Sequence, residues 1–197
     1  DAELKFLQVQ IKPHFLYNTL NTIMGFCINN PEKAYVLLDD FSNYLQGRFR
    51  FKKLDNLISL EDEIELVKSY LNIEMARLGN RLKVKYEIEQ GINVKIPPLL
   101  LQPLVENAVK HGIYRKNGEG TIWISVRREE NSILVIVKDD GVGMPQQKAD
   151  LILEGRIESN SIGISNVNER LKKSYGYGLR IISEVDKGTT VMVKIPD

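Results

Sequence analysis

Three polar side chains in the stretch QPLVENAVKHG have the types and the spacing to bind a nucleotide. Asn107, Lys110 and His111 fall at positions i, i+3 and i+4, so they share one face of a predicted helix. The amide oxygen of Asn107 is a hard ligand suited to Mg²⁺, and the ammonium of Lys110 is a point charge for a phosphate. This pattern alone is also typical of an amphipathic surface helix. The opposite face is apolar and carries Leu101, Leu104, Val105 and Ala108.

Asp139 stands at the end of a predicted strand, directly before a glycine-rich turn. The stretch SILVIVKDD runs into Gly141 and Gly143, where a ligand could approach the backbone closely. A carboxylate there can accept a hydrogen bond from an exocyclic amine such as that of adenine. We therefore expect Asp139 to contact a base.

Two further segments complete a series of four. Gly163, in SIGISNVNERL, lies at the N-terminus of a predicted helix, where free N–H groups and the helix dipole favour a phosphate. Gly188 precedes Thr189 and Thr190, whose hydroxyls are available to a base or to a bridging water. One glycine pair is a weak signal, because turns need glycine. Four such elements in this order are a much stronger one.

The stretch QIKPHFLYNTLN, residues 10–21, places one of the two histidines directly after a proline. His14, Asn18 and Asn21 follow at i, i+4 and i+7 and share one helical face. Neutral imidazole is a competent nucleophile near neutral pH. Pro13 lacks a backbone donor, so we expect a bent or loosened turn that displays the ring. A lone helical histidine is usually structural, and only the downstream nucleotide site favours the nucleophile.

The first part of the chain reads as helices. A turn at 29–32 separates a first helix from a second over about 31–48, whose apolar stripe includes Val36, Leu37 and Phe41. Such a hairpin buries little by itself, so two copies forming a four-helix bundle are expected. After a connection over 49–58, a helix begins with the capping sequence at Ser59 and stops at Gly79.

The rest of the chain mixes strands and helices. RLKVKYEIEQ, TIWISVRRE, SILVIVKDD, GLRIISEV and TTVMVKIP read as strands, while PPLLLQPLVENAVKHG and the stretch from 161 to 176 read as helices. No regular βαβ repeat is present. We therefore predict the α+β class, a sandwich with an antiparallel or mixed sheet and helices on one face.

Composition limits the class of protein. Apolar residues make up 43% of 197 residues, enough for a core, and the net charge of +1 gives no general reason to expect a nucleic acid or an anionic membrane as partner. The single cysteine, Cys27, excludes an intrachain disulfide and fits a reducing compartment. There is no signal peptide and no apolar run of about 20 residues. Because the sequence opens without Met, we expect it to belong to a longer chain.

The second half resembles the Bergerat (GHKL) ATP-binding fold over roughly 95–197. ENAVKH is similar to its N box, DDGVG to its first glycine box, SIGISN to its second and GTT to its closing threonine motif. The resemblance implies that Asn107 holds Mg²⁺, that Asp139 reads adenine and that residues 144–162 form a mobile lid over ATP. Ser161 departs from the second box, where glycine is usual. The hydrolytic members carry a glutamate where this chain has Pro103, which cannot act as a general base.

QIKPHFLYNTLN resembles the phosphoacceptor box of LytS-like sensor histidine kinases, and SLEDEIELVKSYLNIEMARLG, IPPLLLQPLVENAVKHG and SNVNERLKKSYG resemble the same family. The resemblance implies autophosphorylation of His14 from Mg·ATP and transfer to an aspartate in a response regulator receiver domain. Phe15 stands where an acidic residue is usual, and Asn18 matches a position that often orients water in the reverse, phosphatase reaction.

The same resemblance implies an organisation. Residues 1–56 would form the dimerisation and phosphotransfer hairpin, a four-helix bundle in the homodimer, and residues 57–197 a Bergerat-type α/β sandwich that binds ATP. It also implies a cytoplasmic portion, anchored in the membrane only through an upstream segment. Three alternatives stay open: a GHKL serine kinase of the anti-sigma type, which would form acid-stable phosphoserine; a non-catalytic nucleotide-binding dimerisation module; and an ATP hydrolase.

Overall fold

The computed structural model describes residues 13–50, 57–156 and 162–197. Its helices in chain order are α1 (Pro13–Asn29), α2 (Pro31–Arg50), α3 (Leu60–Leu78), α4 (Gln102–Asn107), α5 (Gln146–Leu153) and α6 (Ile162–Tyr175). Its strands are β1 (Ile58–Ser59), β2 (Leu82–Ile88), β3 (Lys95–Ile96), β4 (Gly120–Glu129), β5 (Ser132–Asp139), β6 (Arg180–Glu184) and β7 (Gly188–Pro196). Within the described ranges, no helix is both long and apolar enough to cross a membrane.

Helices α1 and α2 form the predicted hairpin, and α2 ends two residues beyond the expected boundary. The turn between them is capped, since the backbone N–H of Lys33 donates to Asn30 Oδ1 at 3.0 Å. The inner face buries Phe15 on α1 and Phe41 on α2. Val36 was expected in the buried stripe but is 57% exposed. The bend expected at Pro13 involves preceding residues, which lie outside the described ranges.

Helix α3 begins and ends where its capping residues predict. Ser59 Oγ accepts the backbone N–H of Asp62 at 3.0 Å, and Gly79 ends the helix with φ of 59°. The helix packs on the hairpin: the ring of Tyr70 lies 5.5 Å from that of Phe15 and 6.0 Å from that of Tyr44. These contacts cross the domain boundary predicted at residue 56, which stays a prediction.

A five-stranded mixed sheet with the order β2-β4-β5-β7-β6 forms the second half. Strands β2 and β4 are parallel, and the other pairs are antiparallel. The hairpin predicted at Glu130-Asn131 is present, because Glu129 pairs with Ser132. The buried face is lined by alternating β-branched side chains, among them Ile122, Ile124, Val135, Val137, Val191 and Val193. The predicted α+β class is thus confirmed.

Two local structures differ from the expectation. The helix predicted from Pro97 begins only at Gln102, because the preceding backbone is extended or bent and Leu99 has a φ of 55°. This helix also widens into a π-helical turn over Ala108–Ile113. In addition, part of the expected lid is the short helix α5, which buries Ala149 and Ile152. Three of its four apolar residues are consecutive, at 151–153, so the sequence shows no helical periodicity that would predict this helix.

Candidate active site

A cavity opens between α4, the end of β5, the start of β7 and α5. Apolar side chains and a few polar groups line it, which is typical of a small-molecule site. Of the residues predicted from the sequence, the lining contains Asn107, His111, Asp139, Gly143 and Thr189. The fold therefore brings together residues from three separate segments of the second half.

Asp139 lies in this cavity as a buried carboxyl group, only 5% exposed. The backbone N–H of Gly141 donates to its Oδ1 at 2.8 Å, which fixes the orientation of the carboxyl group. Burial raises the pKa of Asp139 to about 6, because the charged form loses hydration. The carboxyl group is thus a preoriented acceptor that loses its charge just below neutral pH.

Close backbone contacts around Asp139 require glycine. A Cβ on Gly112 would lie 2.5 Å from Asp139 Oδ1, and a Cβ on Gly141 would lie 2.3 Å from Gly112 Cα. Neither gap could hold a methyl group without displacing the carboxyl group or the backbone. The glycine of the KHG sequence is therefore as necessary to this site as the predicted glycines of the DDGVG turn.

Gly112→Ala is expected to destabilise the fold by about 1–3 kcal/mol and to weaken nucleotide binding, because the added methyl group meets the Asp139 carboxyl group. Urea unfolding and nucleotide titration measure both effects. Gly25→Ala is the matched control, since a Cβ there has nothing within 4 Å. Gly25→Ala should stabilise the fold by less than about 1 kcal/mol, because glycine loses more conformational freedom in a helix than alanine does. Equal behaviour of the two variants would contradict the close packing.

The turn after β5 is anchored on the β6–β7 hairpin. Gly143 has a φ of 57°, and a Cβ there would lie 1.9 Å from the carbonyl oxygen of Glu184. Ser183 Oγ accepts the backbone N–H of Met144 at 3.0 Å and lies 2.8 Å from Thr189 Oγ1. Sequence reasoning missed Ser183, because nothing local distinguishes it from any other serine in a strand.

Asn107 also lines the cavity and has an oriented amide group. Its Nδ2 donates to the carbonyl oxygen of Pro103 at 2.8 Å, so the amide oxygen is the atom that can coordinate a cation. Gly163 approaches the same place, since a Cβ on it would lie 3.8 Å from Asn107 Nδ2 and 3.2 Å from Pro103 Cβ. The predicted phosphate segment thus meets the predicted metal ligand.

Four of the predicted cofactor-binding residues lie outside the cavity lining, namely Lys110, Gly141, Gly163 and Thr190, and two cations that were not predicted lie in it. Lys110 Nζ pairs with Glu106 Oε2 at 2.8 Å, and Thr190 follows Thr189 in β7 and so projects from the other face of the sheet. Arg115 and Lys148 line the cavity instead. No sequence motif singled out these two cations, because their place depends on how the π-helical turn and α5 pack.

His14 is exposed on α1 and does not belong to the cavity lining. Asn18 lies partly buried one turn later, with its Nδ2 3.2 Å from both His14 Nδ1 and His14 Nε2. The adjacent Phe15 anchors the turn, because its buried ring lies 5.0 Å from that of Tyr44. The predicted pairing of His14 with Asn18 on one face is present, while the histidine and the cavity lie on separate elements.

The raised pKa of Asp139 predicts that adenine nucleotides bind more weakly below about pH 6. Protonation removes the negative charge of the carboxylate and makes it a weaker acceptor for the amine of adenine. The Kd should therefore rise up to about tenfold per pH unit below that value. The contribution of Asp139 to the free energy of unfolding runs the other way, because its unfolded pKa is 3.8. That contribution is lost as the pH rises from 3.8 to about 6.

Nucleotide titration between about pH 4 and about pH 7 tests the binding prediction. A Kd that stays constant on both sides of about pH 6 would contradict the predicted contact between Asp139 and the base.

Two family models match the chain. The model described as histidine kinase matches residues 2–82, and the model described as histidine kinase-, DNA gyrase B-, and HSP90-like ATPase matches residues 97–197. The second match contains the whole cavity, and its family implies ATP binding. Together the two matches cover the hairpin, α3 and four of the five strands of the large sheet. Residues 83–96, which contain most of β2 and all of β3, lie between the matches.

Several known proteins are similar over the full chain. The uncharacterised protein YwpD of Bacillus subtilis is 42% identical over 98% of this chain and 69% of its own length. Sensor histidine kinase YpdA of Escherichia coli is 39% identical, and sensor histidine kinase/phosphatase LytS of Staphylococcus aureus is 36% identical. Each match covers all of this chain but only 34% of the relative, so the chain spans about a third of those two proteins.

Solved structures show the same fold at low identity. The catalytic domain of histidine kinase ThkA gives a TM-score of 0.58 at 15% identity, over 72% of this chain and 95% of that chain. The histidine kinase domain of the blue-light activated histidine kinase of Erythrobacter litoralis gives 0.54 at 17% identity, over 99% of this chain and 93% of that chain. These structures show the fold, while the two family models and the relatives at 36–42% identity show that the chain belongs to the sensor histidine kinases and comprises a histidine kinase catalytic core.

Proposed function

We propose that this catalytic core binds Mg·ATP in the cavity and transfers the γ-phosphoryl group to His14. The phosphoryl group then passes to an aspartate in the receiver domain of a response regulator. The observation that carries the proposal is the buried carboxyl group of Asp139, oriented by Gly141, in a cavity that the amide-bearing side chain of Asn107 also lines. A base acceptor and a metal ligand in one cavity suit the two ends of a nucleotide.

The adenine end is assigned to Asp139 and its neighbours. With one oxygen held by the N–H of Gly141 at 2.8 Å, the carboxylate can accept the exocyclic amine of adenine with the other. Thr189 lies opposite Asp139 in the β5–β7 register, and its hydroxyl is available to a base or a bridging water. Val137 and Ile152 supply apolar walls for the ring.

The phosphate end is assigned to Asn107, Gly163, Arg115 and Lys148. The amide oxygen of Asn107 fits Mg²⁺, because this ion prefers oxygen ligands. Water molecules and phosphate oxygens would supply its other ligands. A bound Mg²⁺ would neutralise charge on the phosphate oxygens. Arg115 and Lys148 line the cavity and can supply further positive charge, whereas Lys110 is paired with Glu106.

His14 is assigned as the nucleophile. A ring nitrogen forms the new bond to phosphorus, the bond from the γ-phosphorus to the bridging oxygen breaks, and ADP leaves with that electron pair. Asn18, with its Nδ2 3.2 Å from the ring nitrogens, can orient the imidazole or, in the reverse reaction, a water. Pro103 stands where a hydrolase would need a general base, which favours transfer over hydrolysis.

The separation of His14 from the cavity requires an approach of the hairpin to the nucleotide. Residues 1–56 would act as the dimerisation and phosphotransfer unit and 57–197 as the ATP-binding unit, with the motion between them near 49–58. An apolar stripe on α1 favours a homodimer, since Leu20, Met24 and Ile28 recur at helical spacing and are 44%, 59% and 88% exposed. Light scattering at increasing concentration tests that dimer.

The position in the cell is part of the proposal. Two relatives carry sensor kinase names and are about three times as long as the matched part. We place this core on the cytoplasmic side, joined to a sensor and a membrane anchor by an upstream segment, with a response regulator and a second copy as partners and no nucleic acid. Copurification with the receiver domain, and its labelling by the phosphorylated core, tests the first partner.

Incubation with γ-labelled ATP and Mg²⁺, followed by acid or base treatment, tests the reaction class. A phosphohistidine is expected, so the protein-bound label should be lost in acid and retained in base. A label that survives acid would indicate a serine kinase instead. ADP release without any label on the protein would indicate a hydrolase, and failure to bind ATP would leave a dimerisation module.

A further inference from the structure

The side chain of Glu63 is fully buried on α3, far along the chain from the residues that line the cavity. Its Oε1 accepts two backbone hydrogen bonds, from the N–H of Leu101 at 2.7 Å and from the N–H of Gln102 at 3.2 Å. A buried carboxyl group without partners would be costly, so these bonds are the reason that the side chain can lie there. They join α3 to the first residues of α4.

The backbone before α4 needs such support, because it is not regular by itself. Leu99 has a φ of 55°, a conformation that a leucine rarely adopts. Arg170 on α6 holds the same segment from the other side, by donating to the carbonyl oxygens of Pro98 and Leu99. A carboxyl group from α3 and a guanidinium from α6 thus fix the entrance to α4.

The position of α4 sets the position of Asn107. The N–H groups at a helix start lack partners within the helix, and Glu63 accepts two N–H groups at this helix start. In the same first turn, the carbonyl oxygen of Pro103 accepts the Nδ2 of Asn107, which lies one turn later. A shift of this first turn would therefore rotate the Asn107 amide directly.

We propose that Glu63 is a positioning residue for the nucleotide site, which holds the first turn of α4 so that the Asn107 amide oxygen faces the metal-bound phosphates. This inference rests on the proposed function, since it concerns the same site. Glu63 touches no ligand in this assignment and acts only through Leu101, Gln102 and Pro103. The nucleotide affinity then depends on an acceptor carried by α3, the helix that also packs on the hairpin.

A comparison of two substitutions tests the acceptor. Glu63→Gln keeps an oxygen for both N–H groups, whereas Glu63→Met has similar length and no acceptor. The reference is the Kd of the wild-type protein for a non-hydrolysable ATP analogue, measured with Mg²⁺. Relative to that value, Glu63→Met should raise the Kd at least about tenfold and Glu63→Gln less than about threefold. Leu66→Val is the control for lost stability on α3, and it should leave the Kd unchanged well below its Tm.

A double-mutant cycle separates positioning from simple destabilisation. If Glu63 acts through Asn107, then Glu63→Met should weaken binding much less in the Asn107→Ala background than in the wild type. Equal effects in both backgrounds would overturn the proposal, as would a folded Glu63→Met protein with the wild-type Kd or a Gln variant as impaired as the Met variant. Lack of nucleotide binding by the wild type would instead refute the proposed function itself.

Discussion

His14→Gln is expected to reduce phosphate incorporation from γ-labelled Mg·ATP to background. Glutamine has no nucleophilic nitrogen lone pair, so the acceptor is removed while the polar character of the exposed turn is kept. The chain has only one other histidine, His111, which lies in the cavity lining. Counting label on the purified protein measures the effect.

Nucleotide binding is the control for this variant. His14 lies outside the cavity lining, so the Kd for ATP should stay at the wild-type value and the loss should be confined to transfer. Substantial residual incorporation by a His14→Gln protein would contradict the assignment of the acceptor. A parallel loss of ATP binding would show that the substitution acts on the fold, and transfer would then have to be tested with another residue at this position.

Asp139→Asn is expected to weaken ATP binding by about tenfold to about a hundredfold, the usual effect of losing a hydrogen bond to a charged group. The N–H of Gly141 donates to Oδ1, so the oxygen of an asparagine would turn toward Gly141 and its amide N–H₂ toward the base. A donor would then face the amine of adenine. Inosine triphosphate carries a carbonyl oxygen in place of that amine, so the preference for ATP over inosine triphosphate should fall or reverse.

Asp140→Asn provides the matched control, because the neighbouring carboxyl group has other partners. Asp140 Oδ1 accepts the backbone N–H of Thr121 at 2.8 Å and lies 3.1 Å from Lys116 Nζ. This variant should keep the wild-type preference for ATP over inosine triphosphate. Isothermal titration of both nucleotides with both variants measures it, and an unchanged preference in Asp139→Asn would contradict the reading of adenine by this carboxyl group.

Local signals predicted much of the fold. Ser59 and Gly79 mark the ends of α3 through capping interactions that depend on a few neighbouring residues. The strands of the sheet follow from the alternation of apolar residues, and the Glu130-Asn131 turn follows from the break between two such runs. Asp139 could be placed in the site because a strand end and a glycine turn are adjacent in sequence.

The residues that sequence reasoning missed or misplaced depend on side-chain contacts that spacing does not determine. Lys110 was placed beside Asn107 in the site by α-helical spacing, but its Nζ pairs with Glu106 Oε2 at 2.8 Å and it lies outside the cavity lining. Gly112 and Glu63 are needed because of distant partners, the Asp139 carboxyl group and the start of α4 respectively. No spacing within one segment reveals such contacts.

The most direct test is mass-spectrometric mapping of the phosphorylated residue after incubation of the whole chain with Mg·ATP and a basic quench, with ADP measured in the same samples. Our proposal predicts phosphate on His14 and one ADP released for each phosphohistidine formed. Phosphate on His111 or on a hydroxyl side chain, or ADP that accumulates while His14 stays unmodified, would contradict it.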